Sequence, residues 1–527
     1  MKSQVLLVND KDEVIGYDSI ENSHSGRGKH HRAFVTALFD AQNRVLLQKR
    51  KHRLFDGLWD LTAISHPLHV NGRDETYQQA SDRALKKEVG IGHVEVAKVG
   101  AFNYFAKDGK NCENEYCAIL TGVYTGKFKP NPKEVYEARW VKYDDFLQDA
   151  SRSPSKYTPW AQETVKIFKK EKKPSKFLIE LEMFSRHFGD YSKKYFARKK
   201  LLVKKYPDLI AKFYQVLEDF GSGGKAMRPF LVYLGYRVGG VRPRDSIVSL
   251  QHDMKVLPIC LAVELLHNFL LIHDDIIDNS DVRRAKPTIH KKLGKIDVHY
   301  GVSQAIVIAD IAAFEAIQLI NQSSLSLKSK AEVLELVTGV ILETAYGEIL
   351  DIEYAHKRPG ISKVWLVTEL KTAKYSFVGP LKLGALLAGA KKSQLVALEQ
   401  YGLELGKAFQ IQDDILGVFG NEKILGKSTL SDMREGKNTL LFYKAREKTS
   451  SAQRRILDKV WGDPRSSKGD LDKVKEIMQN TGALDWCKKQ MVDLVRDAKK
   501  SVDRISKDKV MHEILIKCAD FVIYREK

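Results

Sequence analysis

Over the first 160 or so residues the apolar positions fall in short runs: Val5–Val8, Ala33–Phe39, Arg44–Gln48, Val94–Phe105, Glu115–Tyr124 and Ala138–Val141. Gly, Asn and Asp punctuate them, which predicts a series of short strands. One helix is predicted among them, Thr76–Val89, ended by Gly90. A single helix among many strands implies an α/β sandwich. From about Phe177 onward the period changes. Helical spacing of apolar residues runs through 207–220, 256–277, 303–321, 328–354, 362–390 and 393–419, with sparse Pro and no persistent alternation. This half is expected to be one large all-α domain. Between the halves, Glu163–Ser175 is Lys-rich and ends in Lys172-Lys173-Pro174-Ser175, the pattern of a linker. The expected division is an α/β domain over 1–168, a basic linker over 169–179 and a helical domain over 180–527.

Composition narrows the class. The 527 residues are 43 % hydrophobic and 29 % charged, which excludes wholesale disorder. No window of about 18 apolar residues stands out, so no transmembrane helix is expected. Met1–Asp10 is too short and polar for a secretory signal, so a cytoplasmic protein is expected. Cys112, Cys117, Cys260, Cys487 and Cys518 are few and odd in number, which argues for reduced thiols. The net charge of +20 admits nucleic acid, an acidic membrane surface or small phosphorylated substrates as partners. Nucleic-acid binding would concentrate Lys and Arg on one element with interleaved aromatics. The runs Lys169–Lys173 and Lys193–Lys205 read instead as solvated helix faces and linker, so no nucleic-acid partner is expected.

Candidate chemistry appears in both halves. Asp274, Asp275 and Asp278 lie late in an apolar helix, and Asp274 and Asp278, four apart, share a face. Carboxylates so placed repel one another and resist burial, which favours a site for a hard divalent cation. Asp413 and Asp414 sit in a second apolar helix. Two such helices facing one another could hold Mg²⁺ between them. Arg283, Arg284 and Lys286 follow the first cluster, as suits an anion bridging metal and guanidinium. Gly223-Gly224-Lys225-Ala226-Met227-Arg228 puts two cations on a Gly-rich turn before a helix, an anion-binding arrangement.

On these motifs, residues from about 180 to 527 resemble the trans-prenyltransferases, the head-to-tail isoprenyl diphosphate synthases. The first aspartate-rich motif matches at Asp274, Asp275 and Asp278, and the second at Asp413 and Asp414 with Gly417 at its last position. The Gly-Gly-Lys motif matches at Lys225 and Arg228, with Ala226 where a middle Arg is usual. The resemblance implies that His267 and Arg284 join these cations around the homoallylic diphosphate. It implies that Arg283, Lys371, Lys427 and Lys437 surround the allylic diphosphate, and that Thr372, Tyr375 and Gln410 are polar groups of the cavity. An allylic diphosphate ionises only when its charge is neutralised, which accounts for a site of Asp, Lys, Arg and Mg²⁺ without a Ser or Cys nucleophile. Phe269 and Leu270, five and four residues before Asp274, are the expected limit on chain length. A bulky residue at the first of these alone resembles twenty-carbon synthases, so geranylgeranyl diphosphate is the expected product and farnesyl diphosphate the runner-up. The family usually pairs through its helices, which implies a homodimer.

In the first half, three His and two Glu form a plausible octahedral set for Mn²⁺, Mg²⁺ or Zn²⁺: His24, His31, His66, Glu113 and Glu115. Glu113 and Glu115 are two apart, on one face of a strand. This region resembles type I isopentenyl diphosphate isomerase, a Nudix-fold enzyme whose metal ligands match these five residues. The resemblance extends to Glu88 as a carboxylate for a second Mg²⁺, to Trp160 as the aromatic facing a cationic intermediate, and to Lys49, Arg50 and Arg53 near the diphosphate. It breaks at Ile64, where the family carries a catalytic Cys. Isomerisation needs an acid or base on each face of the allyl unit. Glu115 supplies one and Ile64 cannot supply the other, while Ser65 and Thr62 are poor substitutes. The expectation is therefore open between a weakened isomerase, a Nudix diphosphate hydrolase and a non-catalytic assembly module.

Overall fold

The computed structural model describes all residues except 1–2, 41–43, 95, 125, 171–175, 223–225, 241–255, 285, 358, 421, 423–427 and 525–527. The chain forms two compact units, one of Met1–Met183 and one of Phe184–Arg242 with His252–Lys527.

The first unit is built on a mixed sheet. Its strands are β1 (Gln4–Val8), β2 (Val14–Ser19), β3 (His31–Phe39), β4 (Arg44–Arg50), β5 (Trp59–Asp60), β6 (Ala63–Ser65), β7 (Leu68–Val70), β8 (Arg73–Asp74), β9 (Ala97–Asp108), β10 (Asn111–Val123) and β11 (Val135–Lys142). The main order is β11-β4-β3-β1-β7-β8, and β10 joins parallel to β3 and antiparallel to β9. β3 is central and nearly all buried, so its two faces alternate between two cores. Ala33, Val35, Ala37 and Phe39 pack with Phe146, Trp160 and Phe168 from α3 (Tyr143–Arg152) and α4 (Pro159–Lys170). Phe34 and Leu38 pack on the other side with Ala80, Ala84, Leu85 and Val89 of α2 (Tyr77–Val89). Thr76 and Gln79 cap the start of α2 reciprocally. Gly90 ends it at φ 66°, where a Cβ would meet the Lys129 carbonyl at 2.6 Å. A short α1 (Ile20–Ser23) precedes β3.

Three corrections concern this unit. It contains α3 and α4 beyond the one expected long helix. Residues 169–170, expected as the start of the linker, still belong to α4, whose Val165 and Phe168 bury against the sheet. Of the expected linker 169–179, only 171–175 lie outside the described residues; 176–179 begin α5 (Lys176–Leu202).

The second unit is all-α apart from a two-residue hairpin, β12 (Val282–Arg283) with β13 (Lys286–Pro287). After α5 come α6 (Asp208–Gly221), α7 (Met227–Val238), α8 (Leu257–Ile277), α9 (Ile289–Leu293), α10 (Val298–Gln322) and α11 (Leu327–Lys357). The span 362–390, expected as one helix, is three pieces. α12 (Ile361–Val367) runs into a π-helical stretch, Thr368–Val378, and then into α13 (Gly379–Leu387). α14 (Lys392–Phe419) follows, and the chain ends in helices that include α15 (Ser431–Arg434), α16 (Leu440–Lys448), α17 (Ser451–Val460), α18 (Lys468–Asn480), α19 (Ala483–Lys500), α20 (Val502–Ile505) and α21 (Lys509–Tyr524). α7 and α13 cross so closely that a Cβ on Gly384 would lie 1.8 Å from the Val232 carbonyl oxygen.

α8 and α10 are, against expectation, long and apolar enough to cross a membrane by length and composition. The sequence pattern hid this, since Glu264, His267 and Asn268 interrupt α8. All three are buried in the bundle with most of that helix. All five cysteines are free and buried.

Candidate functional site

The helical unit gathers its charged residues on α8, α11, the π-helical stretch and α14. Asp274 and Asp275 leave the end of α8, and Asp278 caps it. The chain then turns back through the β12–β13 hairpin, which returns Arg283 to the aspartates. Its Nε donates to Asp275 Oδ1 at 2.7 Å and its Nη2 to Asp274 Oδ2 at 3.0 Å. Lys371, from the π-helical stretch, places its Nζ 3.4 Å from Asp274, 2.9 Å from Glu348 and 2.8 Å from Asp351. Lys437 lies 3.7 Å from Asp278, 3.4 Å from Asp432 and 3.1 Å from Glu435. On α14, Gln410 donates to Asp414 at 2.8 Å and accepts from the Thr372 hydroxyl at 2.7 Å. Single-turn π insertions recur at functional sites because they rotate side chains out of the α-helical register. Here Lys371, Thr372 and Tyr375 all come from such a stretch.

Charge balance explains the state of these acids. Burial raises the Asp275 carboxyl to about 6 despite Arg283. Burial and the neighbouring Asp274 raise Asp278. Asp414 is held well above the usual range by burial, with Asp432 and Asp413 adding to it. Asp274 goes the other way: burial opposes, but Lys371 and Arg283 outweigh it. A buried cluster in which several carboxylates resist ionisation, and in which Asp275 Oδ2 has no hydrogen-bond partner among the described residues, fits oxygen-ligated divalent cations. Asp274, Asp275 and Asp278 stand together at the end of α8, and Asp413 and Asp414 lie on α14.

A second polar group forms where α7, α8 and the π-helical stretch meet. Arg228 bonds His267 Nε2 at 3.0 Å, the Tyr375 hydroxyl at 3.0 Å and the Ser376 hydroxyl at 2.8 Å. Burial, then Arg228 and Arg284, hold His267 well below its ordinary pKa, so it is neutral. Arg284 sits at φ 52° and donates to the Phe220 carbonyl at 3.4 Å. Lys225 and Lys427 lie outside the described residues. A narrow apolar cavity beside this group is lined by Val263, Leu266, His267, Val337, Val340, Ile341, Tyr375, Gly379, Pro380 and Leu383. Phe269 and Leu270 are not among its walls. At 100° per residue Leu270 lies about 40° around the helix from Asp274 and Phe269 about 140°. The Phe269 ring packs on His273 at 4.8 Å.

In the first unit, β3 and β10 run in parallel with His31 beside Glu115. His24 enters from the end of α1, and His66 from the turn between β6 and β7. One ligand atom from each of His24, His31, His66, Glu113 and Glu115 lies within 4.8 Å of every other. Nδ1 of His24 faces the Ile20 carbonyl at 2.6 Å, and Nδ1 of His31 faces that of Lys29 at 2.7 Å. Each Nδ1–H donates outward, which turns an Nε2 lone pair toward the carboxylates. The His31 Nε2 is buried, 3.5 Å from Glu115 and without a hydrogen-bond partner among the described residues. Acceptors converging on one point call for a cation, and this set fits a divalent metal. Burial lifts Glu113 to about 7, with Glu115 adding to it. Burial also presses on Glu115, but the imidazoles of His31 and His66 hold it well below the usual range. The Tyr104 hydroxyl donates to Glu115 at 2.5 Å.

Four of these ligands, His24, His66, Glu113 and Glu115, form one wall of a cavity of about 400 Å³. Its other walls include Gln48, Arg50, Arg53, Ile64, Ser65, Arg83, Lys87, Glu88 and Trp160. Gln48 and Arg50 share a strand face; Lys49, between them, is not in the wall. Trp160 is buried, donates to both oxygens of Asp60 at 2.8 Å and carries the Arg50 guanidinium 5.0 Å from its ring centroid. Burial raises Glu88 to about 7, although Gln48 donates to it at 2.6 Å. Ile64 presents an apolar side chain where a thiol was expected from the resemblance. Thr62 does not replace it: its hydroxyl donates to the Leu46 carbonyl and accepts from the Leu38 N–H. Ser65 reaches the cavity and accepts from Arg83 at 3.3 Å.

A polyprenyl synthetase family profile matches residues 210–479, just over half of the chain. The chain belongs to the polyprenyl synthetase family. A NUDIX domain profile matches residues 29–161. Among curated relatives of this family member, a geranylgeranyl diphosphate synthase of Sulfolobus acidocaldarius is 31 % identical over 58 % of this chain and 89 % of its own. A geranylfarnesyl diphosphate synthase of Aeropyrum pernix is 30 % identical over 58 % of this chain and 92 % of its own. Among solved structures, a geranylgeranyl pyrophosphate synthase from Corynebacterium glutamicum, complexed with isoprenyl diphosphate and magnesium, superposes with a TM-score of 0.61. It is 28 % identical, and the match covers 66 % of this chain and 99 % of that one. The polyprenyl synthetase thus carries a Nudix-fold α/β unit ahead of its helical unit.

Several participants escaped the motif reading. Glu348 and Asp351 both bond Lys371, and their i, i+3 spacing on α11 was a visible signal. Asp432 and Glu435 hold Lys437. Asp432 also fills the space above Gly417, where a Cβ would lie 1.9 Å from its Oδ2. Asp60 and Tyr104 orient Trp160 and Glu115, and nothing in their spacing announced it.

Proposed function

We propose that the helical unit condenses isopentenyl diphosphate with allylic diphosphates head to tail, with geranylgeranyl diphosphate as main product and farnesyl diphosphate as runner-up. The observation that carries this reading is the aspartate cluster at the end of α8, with Arg283, Lys371 and Lys437 reaching its carboxylates. Mg²⁺ bound to these aspartates would neutralise the diphosphate so that the allylic C–O bond can ionise. Arg283, Lys371 and Lys437 supply positive charge on the same side. Lys225, Arg228, His267 and Arg284 would hold the second diphosphate, and Thr372, Tyr375 and Gln410 would orient the reacting carbons. The growing chain would enter between α8 and α11, where the apolar cavity of about 30 Å³ would have to widen to admit it. The test is Asp274→Ala assayed with dimethylallyl and isopentenyl diphosphates. Turnover should fall by orders of magnitude, and near-normal turnover would defeat the reading.

For the first unit, on the division at 1–168, the pocket supports binding of a five-carbon diphosphate through a divalent metal, Arg50 and Arg53. Ile64 in its wall favours weak or absent isomerase activity over a fully competent isomerase. On α2 only Glu88 offers a carboxylate to the cavity, which counts against a diphosphate hydrolase. The discriminating experiment is to supply the whole protein with isopentenyl diphosphate and Mg²⁺ alone. Long-chain product requires isomerisation as well as condensation.

The exposed apolar face of α10 and α11 supports a homodimer. Val307 and Phe314 are seven apart on α10, and Leu342, Tyr346 and Ile349 form a stripe on α11, all more than half exposed. A monomeric mass by light scattering at micromolar concentration would refute pairing.

A further inference from the structure

The end of α5 and the turn into α6 form a surface that neither site uses. Between Asp190 and Asp208 the chain has seven Lys and Arg and no carboxylate. Two of the cations are engaged inward: Lys199 pairs with Glu315 at 2.5 Å and Lys200 with Glu218 at 2.7 Å. The other five, Lys193, Lys194, Arg198, Lys204 and Lys205, are exposed, and none has a carboxylate within ion-pair distance among the described residues. Large apolar side chains stand in the open among them. Leu201 is 60 % exposed, Leu202 57 %, Tyr206 53 % and Leu209 47 %.

A solvated helix face explains the lysines but not the leucines, which lose free energy in water. Lys194, Arg198, Leu201 and Leu202 recur at helical spacing on one outward stripe. Cations flanking Leu201, Leu202 and Tyr206, with no acid before Asp208, match the interfacial zone of an anionic bilayer, where headgroups meet acyl chains. A nucleic-acid backbone would use the charges and leave the leucines without a role. The geometry points to the 193–209 segment as a peripheral docking surface for anionic lipid membranes. The inference stands apart from the catalytic reading, because no residue in it belongs to either site.

The test is flotation of the full-length protein with vesicles. One set is phosphatidylcholine alone and the other contains about 30 mol % phosphatidylglycerol, each at low and at about 0.15 M salt. The protein should float with the anionic vesicles only. Leu201→Ser with Leu202→Ser should weaken that partitioning by at least about tenfold. Replacing Lys193, Lys194, Arg198, Lys204 and Lys205 by Gln should abolish it. Tyr206→Ser with Leu209→Ser provides an independent second variant. All the altered side chains are exposed, so melting midpoint and prenyl transfer in free solution should stay at wild-type values. The proposal fails if the wild type ignores anionic vesicles, or if both apolar variants float as the wild type does. It also fails if a DNA duplex displaces the vesicles and binds both apolar variants with undiminished affinity.

Discussion

Lys371→Met removes the one ammonium shared by Asp274, Glu348 and Asp351 while keeping the length of the side chain. At an effective dielectric of about 20, unit charges 3.4 Å apart attract by about 5 kcal/mol, and at 2.8 Å by about 6 kcal/mol. Desolvation of the buried ammonium offsets much of this, so the sum of the pairs overstates the net worth of the lysine. What survives in the rate is its stabilisation of charge on the departing diphosphate. Loss of one such group costs about 10²–10³ in kcat, or about 2.7–4 kcal/mol. The metal dependence should move the opposite way. Three carboxylates relieved of a cation form a more negative cluster, so the Mg²⁺ concentration for half-maximal activity should fall. The assay is steady-state incorporation of labelled isopentenyl diphosphate across a Mg²⁺ titration, with melting curves to verify folding. A kcat within threefold of wild type, or a metal midpoint that rises, would refute the assignment of Lys371 to the leaving group.

In the full chain silenced for condensation by Asp274→Ala, interconversion of the two five-carbon diphosphates should be weak, and Ile64→Cys should raise it; NMR of the substrate pool reads both. Gly384→Ala should destabilise the helical unit by about 1–3 kcal/mol, since its Cβ would meet the Val232 carbonyl; urea unfolding measures it. For Glu88 the folded pKa, about 7, lies above the unfolded value, so the folded chain binds the extra proton between them. Wild-type stability should therefore fall as pH rises from about 4.5 to 7, and Glu88→Gln should remove that decline, as thermal melting in chelator would record.

The sequence exposed the chemistry of this protein better than its architecture. Asp274, Asp275 and Asp278, and the five His and Glu of the first unit, were legible because they are improbable in apolar surroundings. α2 was legible from its caps, Thr76 and Gly90. The π-helical stretch was not, since Thr368–Val378 keeps an apolar rhythm close to that of an α-helix, and only tertiary packing selects the wider turn. The short strands β5 to β8 carry too few residues to establish a period. Phe269 illustrates the limit of counting along a helix: nearness to Asp274 in sequence left it on a different face.

Gly417 and Asp432 bear on how such sites can change over evolutionary time. They occupy one space from two segments of chain: the glycine leaves a gap in α14, and the carboxylate from α15 fills it. An acid at position 417 and the acid at 432 are then alternative sources of the same negative charge. A side chain at 417 would place its Cβ 1.9 Å from Oδ2 of Asp432, so that carboxylate would have to turn away from its present position. An acid gained at 417 would turn the Asp432 carboxylate aside and loosen its 3.4 Å pairing with Lys437. The pair should be inherited together, and a search that scores each position separately would read Gly417 as a lost acid when an acid stands in the same space from another helix.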